Sequence, residues 1–466
     1  MSHLIAVLAS CLLLLAPLTR AEGPLFPPGV RATADGLMAA ALDDALALEL
    51  VTSLSTEIGP RLAGTAQEAR ARDWAVDQLK KLGFSNVRVE PFAVPLWVRG
   101  DERAEILEPF PQPLAVTALG GSTATDPEGV AGDVVAFSSL AALEAAPDGS
   151  LAGRIVFVDE PMTRTQDGSG YGVAVGKRRA TAYEAERLGA VGALIRSVGT
   201  DSHRFPHTGQ MRRLTEDGGA GGVPTAALSA PDADQLRRVL ARADQVSVRL
   251  VLTPQLLPPS RSGNVVAEIP GREAPEEVVL AGAHLDAWDL GTGAVDDGAG
   301  VAIVVAAARL LKALPEPPRR TVRVVLFGAE EVGLVGAKAY AEQHAAELEQ
   351  HVIAAESDFG AGRIWRFDTA VGQSALPTTA AIRAVLHPLG IGPGSNSARG
   401  GPDLTYLREA GVPVVGLIQN GWDYFDLHHT PDDTLDKIEP AALAQNVAAY
   451  AAFLYLAAEV ETDFRK

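Results

Sequence analysis

Cysteine is almost missing: the 466 residues hold one, Cys11, within the first twenty. A disulfide-stapled scaffold and a thiolate-ligated metal site are therefore excluded for the rest of the chain. Positive charge is also scarce, with 40 Lys and Arg against 58 Asp and Glu and a formal net charge of −18. That balance argues against nucleic acid or an anionic membrane surface as the main partner. Beyond the first twenty residues no apolar run approaches the ~20 residues that span a bilayer, so no membrane span is expected. Apolar residues make up 47% and charged residues 21%, a globular composition that rules out disordered, fibrous and coiled-coil readings.

What is present begins with an apolar stretch, Leu4–Leu18, broken only by Ser10 and Pro17 and followed by Thr19-Arg20-Ala21. A short apolar core ending at a small residue predicts a signal peptide over 1–21, cleaved near Ala21, and hence a periplasmic or secreted protein. Leu8-Ala9-Ser10-Cys11 also has lipobox character, but the apolar run continues past the cysteine. The remaining ~445 residues would then rely on core burial alone.

Three textures follow. Residues 36–100 open with apolar residues at three- and four-residue steps through Val51, predicting a helix. A turn-rich break, Gly59-Pro60-Arg61-Leu62-Ala63-Gly64-Thr65, precedes a second helix from about Gln67 to Leu82, and residues 87–94 alternate as a strand. Residues 101–260 break into short apolar runs split by Gly, Pro and Asp, a mainly β insert with no catalytic spacing. Residues 261–466 alternate strand and helix as in a doubly wound α/β sheet, where active sites lie at the carboxyl ends of strands.

Those ends carry acids and histidines. His284-Leu285-Asp286 follows one strand and Val295-Asp296-Asp297-Gly298 opens a helix. Gly328-Ala329-Glu330-Glu331 and Glu356-Ser357-Asp358 follow two further strands, and His428-His429-Thr430-Pro431-Asp432-Asp433-Thr434 follows a fourth. Taken singly, Asp-Asp-Gly is commonly a helix cap and Glu-Glu a solvated helix start. Gathered at the ends of one sheet, so many carboxylates could not all ionise without cations. Mixed imidazole and carboxylate donors without thiolate favour zinc, with cobalt or manganese as alternatives.

His-x-Asp, Asp-Asp-Gly, Glu-Glu, Ser-Asp and His-x-x-x-Asp-Thr, in this order, resemble the co-catalytic dizinc aminopeptidase and glutamate carboxypeptidase family. The likeness extends to residues 59–65 and 94–100, and to Leu194–Val198 and Pro206–Gly209 inside the insert. Within the family it is greatest to the plasma carboxypeptidase branch. The resemblance implies a doubly wound mixed-sheet zinc-exopeptidase domain (36–100 and 261–466) carrying a protease-associated insert (101–260) as a lid. It implies two Zn2+ per chain, His284 and Asp358 holding one, Glu331 and His429 the other, and Asp296 bridging, with a cis peptide between Asp296 and Asp297. Asp286 would accept a hydrogen bond from the His284 ring. Glu330 would be the general base for a hydroxide shared by the metals.

The function so implied is hydrolysis of short peptides, chiefly dipeptides with free termini, by a homodimer. A broader zinc aminopeptidase is the nearest alternative. A receptor-like binding protein and a single-zinc cyclase on the same fold are weaker readings, because every ligand position is filled. His428 would donate to the oxyanion or simply pack, and His207 is a loop residue that a lid could turn toward substrate. His203 also reads as a loop residue, and His344, His351 and His387 read as structural. Arg363, Arg366 and Arg399 are candidates for an acid-specific pocket, though nothing in the sequence gathers them.

Overall fold

The computed structural model describes residues 26–212 and 221–466; the expected signal peptide and Cys11 lie outside them. The strands run β1 (Ser85–Val98), β2 (Glu102–Glu108), β3 (Gln112–Leu114), β4 (Val116–Ala118), β5 (Val130–Phe137), β6 (Ile155–Val158), β7 (Gly192–Arg196) and β8 (Thr225–Leu228). They continue as β9 (Ser247–Leu252), β10 (Gln255–Ile269), β11 (Ala274–His284), β12 (Arg320–Phe327), β13 (His351–Glu356), β14 (Ile364–Ala370), β15 (Gly392–Pro393) and β16 (Val414–Gln419). Two eight-stranded sheets result, ordered β1-β10-β12-β11-β13-β16-β14-β15 and β3-β2-β9-β5-β6-β7-β8-β4.

In the first sheet the central strands β12, β11, β13 and β16 are parallel, and β1, β10 and β14 join antiparallel. The mixed sheet follows from the residue pattern, because strands buried on both faces need apolar side chains in both directions. Val279, Ala281, Ala283, Val322, Val324, Leu326, Ile353 and Ala355 pack into one core. Their alternate neighbours Val278, Leu280, Val325, Phe327 and Ala354 pack into another. Helices Ala299–Lys312 and Pro440–Glu459 cover the first face, and Val335–Gln343 and Thr405–Glu409 cover the second.

Four local expectations change. The first helix divides into Pro28–Leu42 and Leu46–Ser53, because the Asp44 carboxylate accepts from Leu46 N–H (2.9 Å) and starts a new helix. Helix Val335–Gln343 stops before Leu348, where His344 turns its Nε2 to the Glu90 carboxylate (3.1 Å). Strand β14, unanticipated, adds antiparallel to β16 and is only half-buried. The closing helix Pro440–Glu459, contrary to the expectation of no long apolar run, is long and apolar enough to cross a membrane. It lies instead against the first core, with Ala448–Ala458 buried.

The second sheet is the insert. Its β5–β8 are parallel and the rest antiparallel, and β4 comes back against β2. Helices Ser169–Arg187 and Ala230–Leu240 flank it. The chain enters and leaves through one ribbon, β1 against β10, whose pairing extends from Ser85↔Glu268 to Val98↔Gln255.

Candidate metal centre

The four parallel strands are neighbours in the sheet, so their carboxyl ends bring distant segments to one place. His284 ends β11, Glu330 and Glu331 follow β12, Asp358 follows β13, and His429 lies in the loop after β16. Asp296 comes from the turn ahead of helix Ala299–Lys312, and the Asp296–Asp297 peptide is cis. All six line one cavity of about 1040 Å3, roofed in part by insert residues Tyr171, Arg178 and Gln210.

Asp296 lies between two groups of donors. Its Oδ1 is 3.1 Å from His284 Nε2, which is also 3.4 Å from Asp358 Oδ1. Its Oδ2 is 3.4 Å from His429 Nε2 and 3.7 Å from His428 Nε2. Glu331 Oε2 is 3.0 Å from His429 Nε2. Two groups have metal-ligating reach: His284, Asp296 and Asp358, and Asp296, His428 and His429. Two divalent ions fit this donor set. Asp296 Oδ2 and Glu331 Oε1 are buried without hydrogen-bond partners, a costly state that a cation relieves. The electrostatics agree. Although burial opposes a charged imidazole, Asp358, Asp286 and Asp296 raise the proton affinity of His284 well above normal. Burial and then the charge of Asp296 push the Glu331 carboxyl well above the usual carboxylate range. Burial, joined by Asp358, Asp286 and Asp296, pushes Glu330 up to about 8.

The surrounding residues hold these groups in place. His284 Nδ1 meets the backbone carbonyl of Asp286 at 3.0 Å, whereas the Asp286 carboxylate, the expected acceptor, lies at 3.7 Å. That carboxylate instead accepts from Glu330 N–H (3.0 Å) and Glu331 N–H (3.3 Å), fixing the turn after β12. Asp297 accepts from His284 N–H and Gly300 N–H, and Asp433 from Val295 N–H and Asp296 N–H. Arg61, fully buried, donates to four carbonyls: Leu285 (2.5 Å), Thr292 (2.8 Å), Gly293 (2.8 Å) and Gly59 (3.3 Å).

The insert reaches this centre directly. The Thr208 carbonyl is 3.2 Å from His429 Nδ1. His207 is buried and bonds the His428 carbonyl (2.7 Å) and Asp201 (2.8 Å), so it braces the loop and does not line the cavity. His428 stacks on His429 with centroids 3.5 Å apart and sits among Tyr171, Tyr424 and Phe425. Arg366 and Arg399 line the cavity while Arg363 does not. His344 and His351 belong to a remote buried network with Tyr340 and Glu90. His203 and His387 are exposed.

Comparison with known proteins agrees with this geometry. Residues 264–454 match the model of peptidase family M28. Carboxypeptidase Q of Bos taurus is 35% identical over 89% of this chain and 85% of its own length. The crystal structure of a peptidase M28 precursor from Shewanella amazonensis SB2B superposes with a TM-score of 0.91 at 50% identity, over 94% of this chain and 98% of that one. A zinc aminopeptidase from Bacillus subtilis shares the fold, at a TM-score of 0.65 and 21% identity over 90% of this chain and 97% of that one. The chain belongs to peptidase family M28 and is a zinc metallo-exopeptidase similar to carboxypeptidase Q.

Proposed function

We propose that the enzyme hydrolyses short peptides, chiefly dipeptides with free termini, at a centre holding two zinc ions. The observation that carries this reading is Asp296, a buried carboxylate with His284 at one oxygen and His429 at the other. His284 and Asp358 would hold one ion, Glu331 and His429 the other, with Asp296 between them. When bound, such a pair supplies Lewis-acid activation of water and stabilises charge on the scissile carbonyl oxygen.

The protein's own part falls to Glu330. Its carboxylate, lining the cavity beside the donor groups, would take the proton of the attacking water and give it to the leaving amine nitrogen. Asp286 pins the backbone N–H groups of adjacent Glu330 and Glu331, and the Glu331 carboxylate meets His429 Nε2 at 3.0 Å, which leaves the proton transfer to Glu330. His428, whose Nε2 faces Asp296 and whose Nδ1 has no partner, keeps burial-lowered basicity (about 3) and remains a neutral imidazole beside the centre. Export after cleavage near Ala21 is a part of this proposal that rests on the sequence, and assembly as a homodimer is one that rests on the family resemblance.

The test is metal content of the purified protein together with hydrolysis of a dipeptide panel before and after chelation. Two zinc ions per chain, with dipeptide cleavage lost on chelation and poor activity on blocked peptides, supports the reading. Zinc-dependent trimming of long peptides from the amino end replaces it with a broader aminopeptidase. No metal, and no activity after zinc is restored, replaces it with a binding protein.

A further inference from the structure

One hydroxyl hangs in the roof of the cavity with its proton unclaimed. Tyr171 lies in the first turn of the insert helix Ser169–Arg187 and lines the cavity together with Glu330, Glu331 and His429. Its ring is held from two sides, stacked on Phe425 (centroids 4.9 Å apart, 15° between planes) and edge-on to His428 (5.3 Å, 79°). The start of the helix is pressed against the peptidase domain. A Cβ at Gly168 (φ +72°) would fall 2.7 Å from Phe359 Cζ, and the Gly168 carbonyl accepts from Tyr171 N–H (3.0 Å).

The Tyr171 hydroxyl oxygen accepts from Arg178 Nη2 (2.6 Å), and Arg178 Nη1 lies 3.3 Å from His429 Nδ1. One guanidinium thus joins the phenol to a histidine of the metal centre. Among the described residues nothing accepts the phenol's own proton. An oxygen that accepts from a cation is polarised into a stronger donor. Burial raises the Tyr171 pKa against the opposing pull of Arg178, so the proton stays on the oxygen, and Glu330 is the acid that acts most strongly on it. The cavity's other phenol, Tyr424, supports the charge of Asp296 instead.

A carbonyl under attack has to sit between the base and the metal centre, and Tyr171 is joined to both sides of that place. Water addition turns the carbonyl oxygen into an oxyanion, and a donor already fixed in a buried site gains strength as that charge develops. We propose that the Tyr171 hydroxyl donates a hydrogen bond to the scissile carbonyl oxygen as it becomes the oxyanion; the inference rests on the dipeptidase reading above. No covalent bond to Tyr171 forms or breaks, and the proton that moves is handled by Glu330. The insert thereby supplies a catalytic residue to a reaction whose base belongs to the peptidase sheet.

The experiment compares wild type and Y171F on alanyl-leucine, with zinc content and thermal melts of both proteins. It also measures inhibition by leucine and by a phosphinic alanyl-leucine isostere, whose tetrahedral anion mimics the oxyanion. In Y171F kcat should fall about 10- to 100-fold while KM changes by less than about threefold. Zinc content and melting should hold. The phosphinate Ki should rise by about the factor that kcat/KM loses, with leucine inhibition within about threefold of wild type. A kcat within threefold of wild type would overturn the proposal. So would a loss carried by KM with leucine and phosphinate weakened alike, or a loss of zinc, since these mark Tyr171 as shaping the cavity or positioning His429. If zinc-loaded wild type leaves alanyl-leucine intact, the dipeptidase reading fails, and the phosphinate still decides: equal binding to wild type and Y171F overturns the oxyanion contact.

Discussion

Thr208 and His429 exchange two contacts across the boundary between insert and peptidase sheet: Thr208 N–H donates to the His429 carbonyl (3.1 Å), and His429 Nδ1 meets the Thr208 carbonyl (3.2 Å). The ring nitrogen facing Asp296 and Glu331 is thus left as the unprotonated donor a metal requires. The next bond along the same strap is from His207 to the His428 carbonyl. H207A should therefore weaken metal binding on the His429 side about 10-fold or more, with the His284 side little changed. Zinc titration with a competing chelator reads the two affinities, and unchanged values for both would remove the insert from the metal site.

Glu330 contributes its side chain to the cavity and its backbone N–H to Asp286. E330Q keeps the backbone contact and the shape but cannot take a proton. It should retain both metals while kcat falls about 10²- to 10⁴-fold. Metal analysis beside steady-state kinetics checks this, and near-normal kcat would assign the proton transfer elsewhere.

Arg61 holds two separate stretches of the loop between β11 and Asp296 through the carbonyls of Leu285, Thr292 and Gly293. R61M leaves these acceptors unpaired in a dry interior and should cost about 3–5 kcal/mol. R61K, unable to reach all of them, should fall between. Denaturant unfolding measures the loss, and a cost within ~0.5 kcal/mol of wild type would mark the contacts as dispensable.

Lys177 is a stability liability. Its Nζ is buried with no hydrogen-bond partner, and burial lowers its pKa to about 7. Between that value and the ordinary lysine pKa of ~10.4 the unfolded chain binds the proton and the folded one does not. Stability from this group therefore rises with pH across that window and is lowest below it. K177M should stabilise the protein by about 1–4 kcal/mol at pH 7 and flatten the alkaline rise. Thermal melts of both proteins from pH 6 to 10 check the sign.

The sheet and its chemical strand ends were legible because His284, Glu330, Glu331 and Asp358 adjoin apolar runs that both faces of the sheet demand. The fourth strand end was marked by His428 and His429. What escaped detection acts through groups that carry no sequence signature. Thr208 works by its backbone carbonyl, which any residue could offer. Arg178 sits on an insert helix with weak periodicity, and its contact with His429 spans 251 positions. Arg61 was visible within a turn motif, but its bonds to Leu285 and Gly293 cross more than 220 residues. Asp286 was recognised as a supporting carboxylate. The family resemblance pointed it at His284, whereas the strand-end turn spends it on the N–H groups of Glu330 and Glu331.

Val98 and Gln255 face each other at the far end of the β1–β10 ribbon. A turn of a few residues between them would close the ribbon into a hairpin, so the peptidase sheet is one uninterrupted object in space although its gene segment is split. Excising the segment between them would leave every strand pair of that sheet in place, yet take away Thr208, His207 and Arg178 together. The insert is modular for architecture and indivisible for chemistry, and a chain that lost it would keep the strand pairing of the peptidase sheet but would have to rebuild the support of His429.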